Sequence, residues 1–377
     1  MKILSVLGTR PEAIKMAPVL CALDAMAGVN SKLCVTAQHR GMLDQVLTFF
    51  KLSPDHDLDI MQPDQSLEHL TARMITGIAA VLEIEKPDLV LVHGDTTTTF
   101  TAALAAFYAK IPVGHVEAGL RTGMLNMPWP EEANRKLTST LAQLHFAPTP
   151  QARANLEREG VAPQSIHVTG NTVIDALLLT RKMLQQDAQQ LARYAATFDM
   201  LDPAKRMILV TGHRRESFGA GFAGICQALR TLARRQDCQI IYPVHLNPNA
   251  RAPVMGLLQS SDNIHLIAPQ DYPAFVYLMD RSTLILTDSG GIQEEAPSLG
   301  KPVLVMREAT ERPEAIEAGT AKLVGTAPDV IVREAAKLLE DRTAANEIPE
   351  NPYGDGLAAQ RITAAIADAF ALKSTGQ

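Results

Sequence analysis

Short runs of apolar, β-favouring residues alternate with longer helix-favouring segments along almost the whole chain. This alternation predicts an α/β fold in which helices connect parallel strands. In the first half of the chain we expect strands at residues 2–7, 32–36, 88–92, 112–116 and 145–147. The pattern then restarts, with expected strands at residues 207–211, 239–244, 263–267, 283–287 and 302–305.

The two sets of strands predict two doubly wound, Rossmann-like domains that face a cleft. A polar segment rich in Gln, Leu and Ala, residues 173–196, is the predicted connector. We place the N-terminal domain at residues 1–172 and the connector with the second domain at residues 173–356. Ligands of open parallel sheets bind beyond the carboxyl ends of the strands, so the residues that follow each strand are the candidates for chemistry.

Composition agrees with this prediction and excludes several classes of protein. A chain of 377 residues with 46% hydrophobic and 20% charged residues has enough apolar residues for about two folded domains. The net charge of -6 argues against general binding to nucleic acid or to an anionic membrane. No apolar run approaches the roughly 20 residues that span a bilayer. The short apolar start does not fit a signal peptide, and the four cysteines form no CxxC pair, so we expect a cytoplasmic protein with reduced, buried thiols.

Acidic residues stand at the ends of two predicted strands and at the start of one predicted helix in the first half of the chain. Asp95 and Glu117 come directly after strands, and Glu131 with Glu132 stands at a predicted helix start. Each acid alone has a structural explanation as a helix cap or a partner of the helix dipole. Three such positions at the mouths of neighbouring units favour a functional site.

Two strand ends of the second half suit a phosphate group. His213, Arg214 and Arg215 form a basic loop after one strand. Ser289, Gly290 and Gly291 follow another strand, and the missing Cβ atoms let backbone N–H groups approach a diphosphate closely. An ordinary tight turn would explain the glycines equally well.

Two other motifs receive a structural interpretation. The segment 219–224 has the spacing of a dinucleotide-binding GxGxxG motif, but it begins well beyond its strand, and the next strand offers no ribose-binding acid. We therefore reject dinucleotide binding there. The pairs His93/Asp95 and His115/Glu117 place alternate strand residues on one face and leave a metal site as a minor alternative.

Six motifs in collinear order give the chain a close resemblance to the non-hydrolysing UDP-N-acetylglucosamine 2-epimerases. They are GTRPEAIKMAP at 8–18, HGDTTTT at 93–99, HVEAGLR at 115–121, PWPEEANR at 128–135, TGHRRE at 211–216 and TDSGGIQEEAP at 287–297. The resemblance runs from Lys2 to Gly356, with looser matching between Arg181 and Lys205 and beyond Arg342. The resemblance rests on the order of all six motifs, because no single motif is sufficient.

The resemblance implies a glycosyltransferase-B-type fold in which a C-terminal helix, residues 357–377, joins the first domain. It also implies a homodimer, UDP-N-acetylglucosamine as the small-molecule substrate, and neither a catalytic metal nor a nicotinamide cofactor. Residues that would contact UDP are Arg10, His213, Gln270, Phe275, Ser289, Gly290, Gly291, Glu295 and Arg312. Residues that would line the sugar side are Lys15, Asp95, Glu117 and Glu131.

The implied reaction inverts C2 of the sugar by eliminating UDP to 2-acetamidoglucal and adding it back. It needs carboxylates as acid and base and cations for the departing diphosphate. We expect Asp95 and Glu117 to move protons, with Glu131 as a third participant and His213 acting on the leaving group. The product would supply N-acetylmannosamine for a cell-surface polysaccharide. A sugar transferase of the same fold and a non-catalytic nucleotide-sugar sensor remain the alternatives.

Overall fold

The computed structural model describes residues 1–36, 40–62, 65–212, 220–245, 248–259, 261–341 and 349–371. Within it the chain forms two compact units. Unit 1 is Met1–Ala176 together with the segment from Tyr353 onward, and unit 2 is Leu177–Pro352. The candidate His213 and the first glycine of the GxGxxG spacing, Gly219, lie outside the described residues.

Unit 1 is built on a seven-stranded parallel sheet. Its strands are β1 (Lys2–Leu7), β2 (Asn30–Val35), β3 (His56–Asp57), β4 (Leu89–His93), β5 (Val113–Val116), β6 (Leu144–Ala147) and β7 (Ile166–Val168). The strand order is β3-β2-β1-β4-β5-β6-β7. The order therefore reverses between β1 and β4, which is the topological switch point of a doubly wound sheet.

Unit 2 contains a six-stranded parallel sheet. Its strands are β8 (Arg206–Thr211), β9 (Cys238–Pro243), β10 (Ile264–Ile267), β11 (Leu284–Thr287), β12 (Val303–Val305) and β13 (Ala321–Leu323). The order β10-β9-β8-β11-β12-β13 reverses between β8 and β11. The prediction of two doubly wound α/β domains is confirmed.

Helices connect these strands. They are α1 (Arg10–Asp24), α2 (Arg40–Phe49), α3 (Leu67–Glu85), α4 (Thr97–Tyr108), α5 (Glu131–Leu141), α6 (Pro150–Arg158), α7 (Thr172–Gln186), α8 (Ala188–Thr197), α9 (Ala220–Leu232), α10 (Pro248–Leu258), α11 (Tyr272–Arg281), α12 (Gly290–Glu295), α13 (Pro313–Glu317), α14 (Pro328–Glu340) and α15 (Ala358–Ala369). None of the helices described combines the length and the apolar character needed to cross a membrane.

The core of unit 1 follows from the periods of its elements. Leu4 and Val6 on β1 and Val90 and Val92 on β4 are alternate strand residues, so they share one face of the sheet. Helices α3 and α4 cover that face with residues spaced by three and four positions, among them Met74, Ile78, Ala102 and Ala106. This packing fixes the sheet beneath the loops that follow β1 and β4.

A buried carboxylate attaches the C-terminal helix to unit 1. Asp175 on α7 accepts hydrogen bonds from the backbone N–H groups of Ala358 and Ala359, at 3.1 and 2.8 Å. These N–H groups belong to the first turn of α15 and have no partner within the helix. The helix also packs against α1.

The ten predicted strands are all present, with ends within two residues of the expected positions. Three strands are additional: β3, β7 and β13 have two or three residues each, and each lies at an edge of its sheet. Of the four cysteines, Cys34, Cys226 and Cys238 are buried, whereas the expectation of a buried thiol is wrong for Cys21, which is exposed.

Of the glycines at 221 and 224, the structure explains the second by packing. Both lie in α9, and a Cβ atom on Gly224 would come within 2.4 Å of the backbone oxygen of Thr326, just before α14. A side chain would therefore push α9 away from its neighbour.

We predict that Gly224→Ala destabilises the protein by about 1–3 kcal/mol, because the added methyl group overpacks a backbone contact. Gly256 in α10 is the matched control, since a Cβ atom there meets nothing within 4 Å. Gly256→Ala should be neutral or stabilise by up to about 1 kcal/mol through helix propensity. Urea unfolding followed by circular dichroism measures both. Equal effects of the two substitutions would contradict the packing explanation.

Candidate functional site

The loops that follow β1, β4 and β5 surround a cavity of about 500 Å³ in unit 1. Its lining includes Arg10 and Lys15 from the start of α1, Asp95 after β4, and Glu117 after β5. Four of the candidates named from the sequence thus lie around one cavity. It contains both cationic and acidic side chains, at the switch point of the sheet.

Lys15 and Glu117 form an ion pair at the base of this cavity. Both side chains are largely buried, with exposed fractions of 18% and 9%. Glu117 has a backbone φ of 62°, in the left-handed region that residues other than glycine rarely occupy. Such backbone strain persists only where the surroundings enforce it and is concentrated at functional sites. Here the strained residue carries a proposed acid-base group.

His93, the last residue of β4, lies beside the ion pair and also lines the cavity. Its Nε2 atom is 3.8 Å from Oε2 of Glu117, and the side chain is buried. Burial lowers the pKa of His93 to about 4, with the Glu117 charge opposing the shift and Lys15 adding to it. The imidazole is therefore neutral near pH 7. From the sequence, His93 was considered only as a metal ligand.

Asp95 is held by two residues of α5. The Nη2 atom of Arg135 is 2.8 Å from Oδ2 of Asp95, and Asn134 donates a hydrogen bond to the Asp95 backbone oxygen at 2.9 Å. Arg135 also pairs with Glu132 at 2.9 Å. Arg135 and Asn134 were missed as individual residues, although both lie in the motif at 128–135. The available signal was the i,i+3 spacing of Arg135 from Glu132.

The two adjacent acids of α5 have different environments. Glu132 is fully buried and accepts hydrogen bonds from the backbone N–H groups of Thr122 and Gly123. Burial raises the pKa of Glu132, but these bonds and Arg135 outweigh it and bring the pKa below its usual value. Glu131 is partly exposed and lines a smaller pocket with Asp95 and Trp129. The structure thus brings Glu131 and Asp95 together, whereas Glu132 supports the loop before α5.

Glu12 is a further acid of this region, and sequence reasoning did not single it out. It is buried, with 3% of its surface exposed. One oxygen accepts hydrogen bonds from Gly8 and Thr9, and the other accepts one from Thr96. Its position three residues after Thr9 is the sequence signal of a capping box.

In unit 2 the ends of β8 and β11 lie side by side. Thr211 and Thr287 are register partners, and their hydroxyl groups are 2.5 Å apart. The Thr287 hydroxyl also accepts the backbone N–H of Ser289 at 2.9 Å, which shapes the turn into α12. Gly290 and Gly291 follow in this turn. It is the strand-end position expected for them from the sequence.

Four other candidates of unit 2 lie in or near α11, α12 and α13. Arg312 pairs with Glu294 of α12, and a Cβ atom on Gly290 would lie 3.7 Å from the Arg312 guanidinium carbon. The Tyr272 hydroxyl donates a hydrogen bond to Glu295 at 2.8 Å, and this bond connects α12 to the first turn of α11. Gln270 and Phe275 flank that first turn. Five of the named candidates thus lie at or just before the starts of α11 and α12, namely Gln270, Phe275, Ser289, Gly290 and Gly291, and Glu295 is the last residue of α12.

The described parts of the chain hold no group of three or more His, Cys, Asp and Glu side chains arranged to bind a metal ion. His115, one member of the metal alternative, is fully buried, and its Nε2 atom is hydrogen-bonded to the Gly94 backbone oxygen at 2.7 Å. Burial lowers its pKa to about 3, and the bond to Gly94 partly opposes this.

We predict that His115 makes stability depend on pH. Below pH 6.5 the unfolded chain takes up a proton here that the folded protein does not accept until about pH 3, so stability falls with falling pH. This group should cost about 2 kcal/mol between pH 7.5 and pH 5. His115→Gln keeps a donor for Gly94 and removes the titration. The unfolding free energies of the unaltered protein and of His115→Gln are measured with urea at pH 7.5 and pH 5. The difference between the two proteins should change by that amount from one pH to the other. An unchanged difference would contradict the account.

Comparison with known proteins places these features in one family. The family model described as UDP-N-acetylglucosamine 2-epimerase matches residues 21–367. The UDP-N-acetylglucosamine 2-epimerases of Yersinia pestis and Escherichia coli K12 are 60% and 59% identical to this chain over 369 residues, which cover 97% of this chain and 98% of each relative.

A solved structure extends the similarity to the fold. The UDP-GlcNAc 2-epimerase from Neisseria meningitidis bound to UDP-GlcNAc has a TM-score of 0.87 and 52% identity, covering 98% of this chain and all of that chain. The expected glycosyltransferase-B-like fold of two parallel-sheet domains is confirmed by this similarity. The resemblance found in the six motifs is confirmed as well. The chain belongs to the UDP-N-acetylglucosamine 2-epimerase family.

Proposed function

We propose that this protein interconverts UDP-N-acetylglucosamine and UDP-N-acetylmannosamine by inverting C2 of the sugar. The observation that carries the proposal is the cavity of unit 1, where Asp95, Glu117 and Lys15 line one space. Family membership supplies the substrate class, since the related Neisseria meningitidis enzyme binds UDP-GlcNAc in its crystal structure.

Elimination is the proposed route because C2 has no neighbouring carbonyl to acidify its proton. A carboxylate removes the C2 proton, the C–H electron pair forms the C1=C2 double bond, and the C1–O bond breaks with UDP as the leaving group. The intermediate is 2-acetamidoglucal. UDP then adds back to C1 while a proton is delivered to the opposite face of C2. The electron pairs balance without an external oxidant.

The carboxylates around the cavity supply the proton transfers of this proposal. Glu117 contacts the Lys15 ammonium group, and a neighbouring positive charge favours the ionised form of a carboxyl group, which is the form that acts as a base. Asp95 is oriented by Arg135 and Asn134 and lies beside Glu131 in the adjacent pocket. We assign proton transfer at C2 to Asp95 and Glu117, with Glu131 as a third participant.

The departing diphosphate needs positive charge and backbone donors. We propose that unit 1 holds the sugar and unit 2 holds UDP. The side chains and turns for UDP are Arg10, His213, Gln270, Phe275, Ser289, Gly290, Gly291, Glu295 and Arg312. The close approach of the Arg312 guanidinium to Gly290 supports this assignment, because an anion at the glycine turn would meet that charge. His213 would stabilise or protonate the leaving group.

The further use of the product is also part of the proposal. We propose that its N-acetylmannosamine unit is consumed in assembling a cell-surface polysaccharide. A homodimer also stays a prediction, which sedimentation of the purified chain tests.

We predict that metal-free protein converts UDP-N-acetylglucosamine into its 2-epimer and, in deuterated water, introduces deuterium at C2. This exchange should fall at least a hundredfold in Asp95→Asn and in Glu117→Gln, because each loses a proton carrier, while UDP still binds. NMR measures both the epimer and the exchange, and calorimetry measures UDP binding.

Asp88→Asn is the matched control for this experiment. Asp88 directly precedes β4, at the strand end opposite Asp95, and accepts a hydrogen bond from the Lys2 backbone. The Asp88→Asn protein should exchange the C2 proton for deuterium at the rate of the unaltered protein. Exchange that persists in both active-site variants would refute the assignment. A sugar transferase would leave the substrate unchanged without an acceptor, and a sensor would bind it without turnover.

A separate prediction concerns the leaving group. His213→Ala should lower kcat by about a hundredfold, the scale of one lost donor to a developing anion. Initial rates at saturating UDP-N-acetylglucosamine provide the measurement. Turnover at the rate of the unaltered protein would remove His213 from the mechanism.

A further inference from the structure

Glu12 makes two sets of hydrogen bonds, and the first is local. Its Oε2 atom accepts the backbone N–H groups of Gly8 and Thr9, at 2.9 and 2.7 Å, and the Thr9 hydroxyl at 2.8 Å. Together with the bond from the Glu12 backbone to Thr9, this is a capping box at the start of α1. A capping box alone accounts for this one oxygen.

The second set reaches the N-terminus of α4. The Oε1 atom of Glu12 accepts the Thr96 hydroxyl at 2.6 Å and lies 3.1 Å from the Thr99 hydroxyl. The Thr99 hydroxyl in turn donates to the backbone oxygen of His93 at 2.5 Å. One buried carboxyl group therefore ties the loop after β1 to the loop after β4.

These two loops carry the charged groups of the cavity. Arg10 and Lys15 lie on α1 on either side of Glu12, and Asp95 lies between His93 and Thr96. The bonds of Glu12 thus join the segment that carries the two cations to the loop that carries the Asp95 carboxylate.

Burying the Glu12 carboxyl group costs free energy that a helix cap at the surface does not require. Burial raises its pKa, against hydrogen bonds from Thr96, Thr9 and Gly8 that lower it. A helix start at the surface obtains the same local bonds without desolvating a carboxyl group. The contact across the switch point is what the buried position adds.

We propose that Glu12 is a positioning residue of the epimerase reaction, which sets the separation of Arg10 and Lys15 from Asp95 by joining the loops after β1 and β4. This role rests on the proposed function. It acts through other residues and does not require Glu12 to touch the sugar.

Glu12→Gln separates this role from a merely local one. The amide keeps the size of the side chain, but its NH₂ group must face either the fixed N–H donors of Gly8 and Thr9 or the two threonine hydroxyls. An NH₂ group that faces Gly8 and Thr9 opposes two fixed donors, and one that faces the threonines can only donate, so the Thr96 and Thr99 hydroxyls must turn from donors into acceptors. Thr96→Val removes the other side of the same contact.

Thr149→Val is the matched control. Thr149 is a buried N-cap at the start of α6, and its hydroxyl accepts the Ala152 N–H at 3.1 Å, as Thr96 accepts that of Thr99 at 3.2 Å. Thr149→Val and Thr96→Val therefore lose the same kind of cap, but only Thr96→Val loses a contact with Glu12.

The experiment measures kcat, KM and thermal stability for the unaltered protein, the three single variants and the Glu12→Gln/Thr96→Val double variant. We expect kcat to fall ten- to a hundredfold in Glu12→Gln and in Thr96→Val, because small displacements of reacting groups have effects of this size. The double variant should be within about twofold of the slower single variant, since both remove one contact. Thr149→Val should lower the melting temperature by about as much as Thr96→Val does, but it should leave kcat unchanged.

Three results would overturn the proposal: a folded Glu12→Gln protein with kcat within twofold of the unaltered protein, multiplicative effects in the double variant, or an equal loss of kcat in Thr149→Val. If Glu12→Gln does not fold, Thr96→Val with Glu12→Asp gives the same comparison. An unaltered protein that leaves UDP-N-acetylglucosamine unchanged refutes the proposed function instead. The positioning role is then judged by the affinity for UDP-N-acetylglucosamine in the same variants, which must weaken in Glu12→Gln and Thr96→Val but not in Thr149→Val.

Discussion

The reversal of strand order is the constraint on which both units depend. In unit 1 the chain leaves β1 toward β2 on one side and later returns to β4 on the other, and in unit 2 β8 stands in the same relation to β9 and β11. Adjacent loops at such a point diverge, which leaves space at the carboxyl edge of the sheet. The acids and cations of unit 1 and the glycine turn of unit 2 follow strands next to these reversals.

The acidic residues in that space are paired with cationic side chains. Glu117 contacts Lys15, and Asp95 contacts Arg135, so the two acids assigned to proton transfer at C2 each have a cationic neighbour. A buried carboxylate without such a partner would be strongly destabilising. The same pairing places a cation against each of these acids, while burial keeps His93 neutral beside Glu117. Stability and the proposed chemistry therefore use the same contacts.

The sequence predicted the central strands and the residues at their ends, because buried parallel strands read as apolar runs and ligands gather where they stop. The strands β3, β7 and β13 escaped prediction since they are short, lie at sheet edges and include His56, His167 and Lys322. Glu12, Glu132 and Arg135 were not assigned roles because their partners lie on other elements or in loops. Only tertiary packing shows that Glu12 meets Thr96, 84 residues away.

The central claim is that the C1–O bond of the nucleotide sugar breaks while carboxylates move the C2 proton. It is tested most directly with UDP-N-acetylglucosamine carrying ¹⁸O in the oxygen that bridges C1 and the β-phosphorus. Elimination frees the UDP phosphate to rotate before it adds back, so NMR should show the label redistributed into non-bridging positions of the β-phosphate as the epimer forms. Epimerisation with the label retained entirely in the bridge would contradict the account.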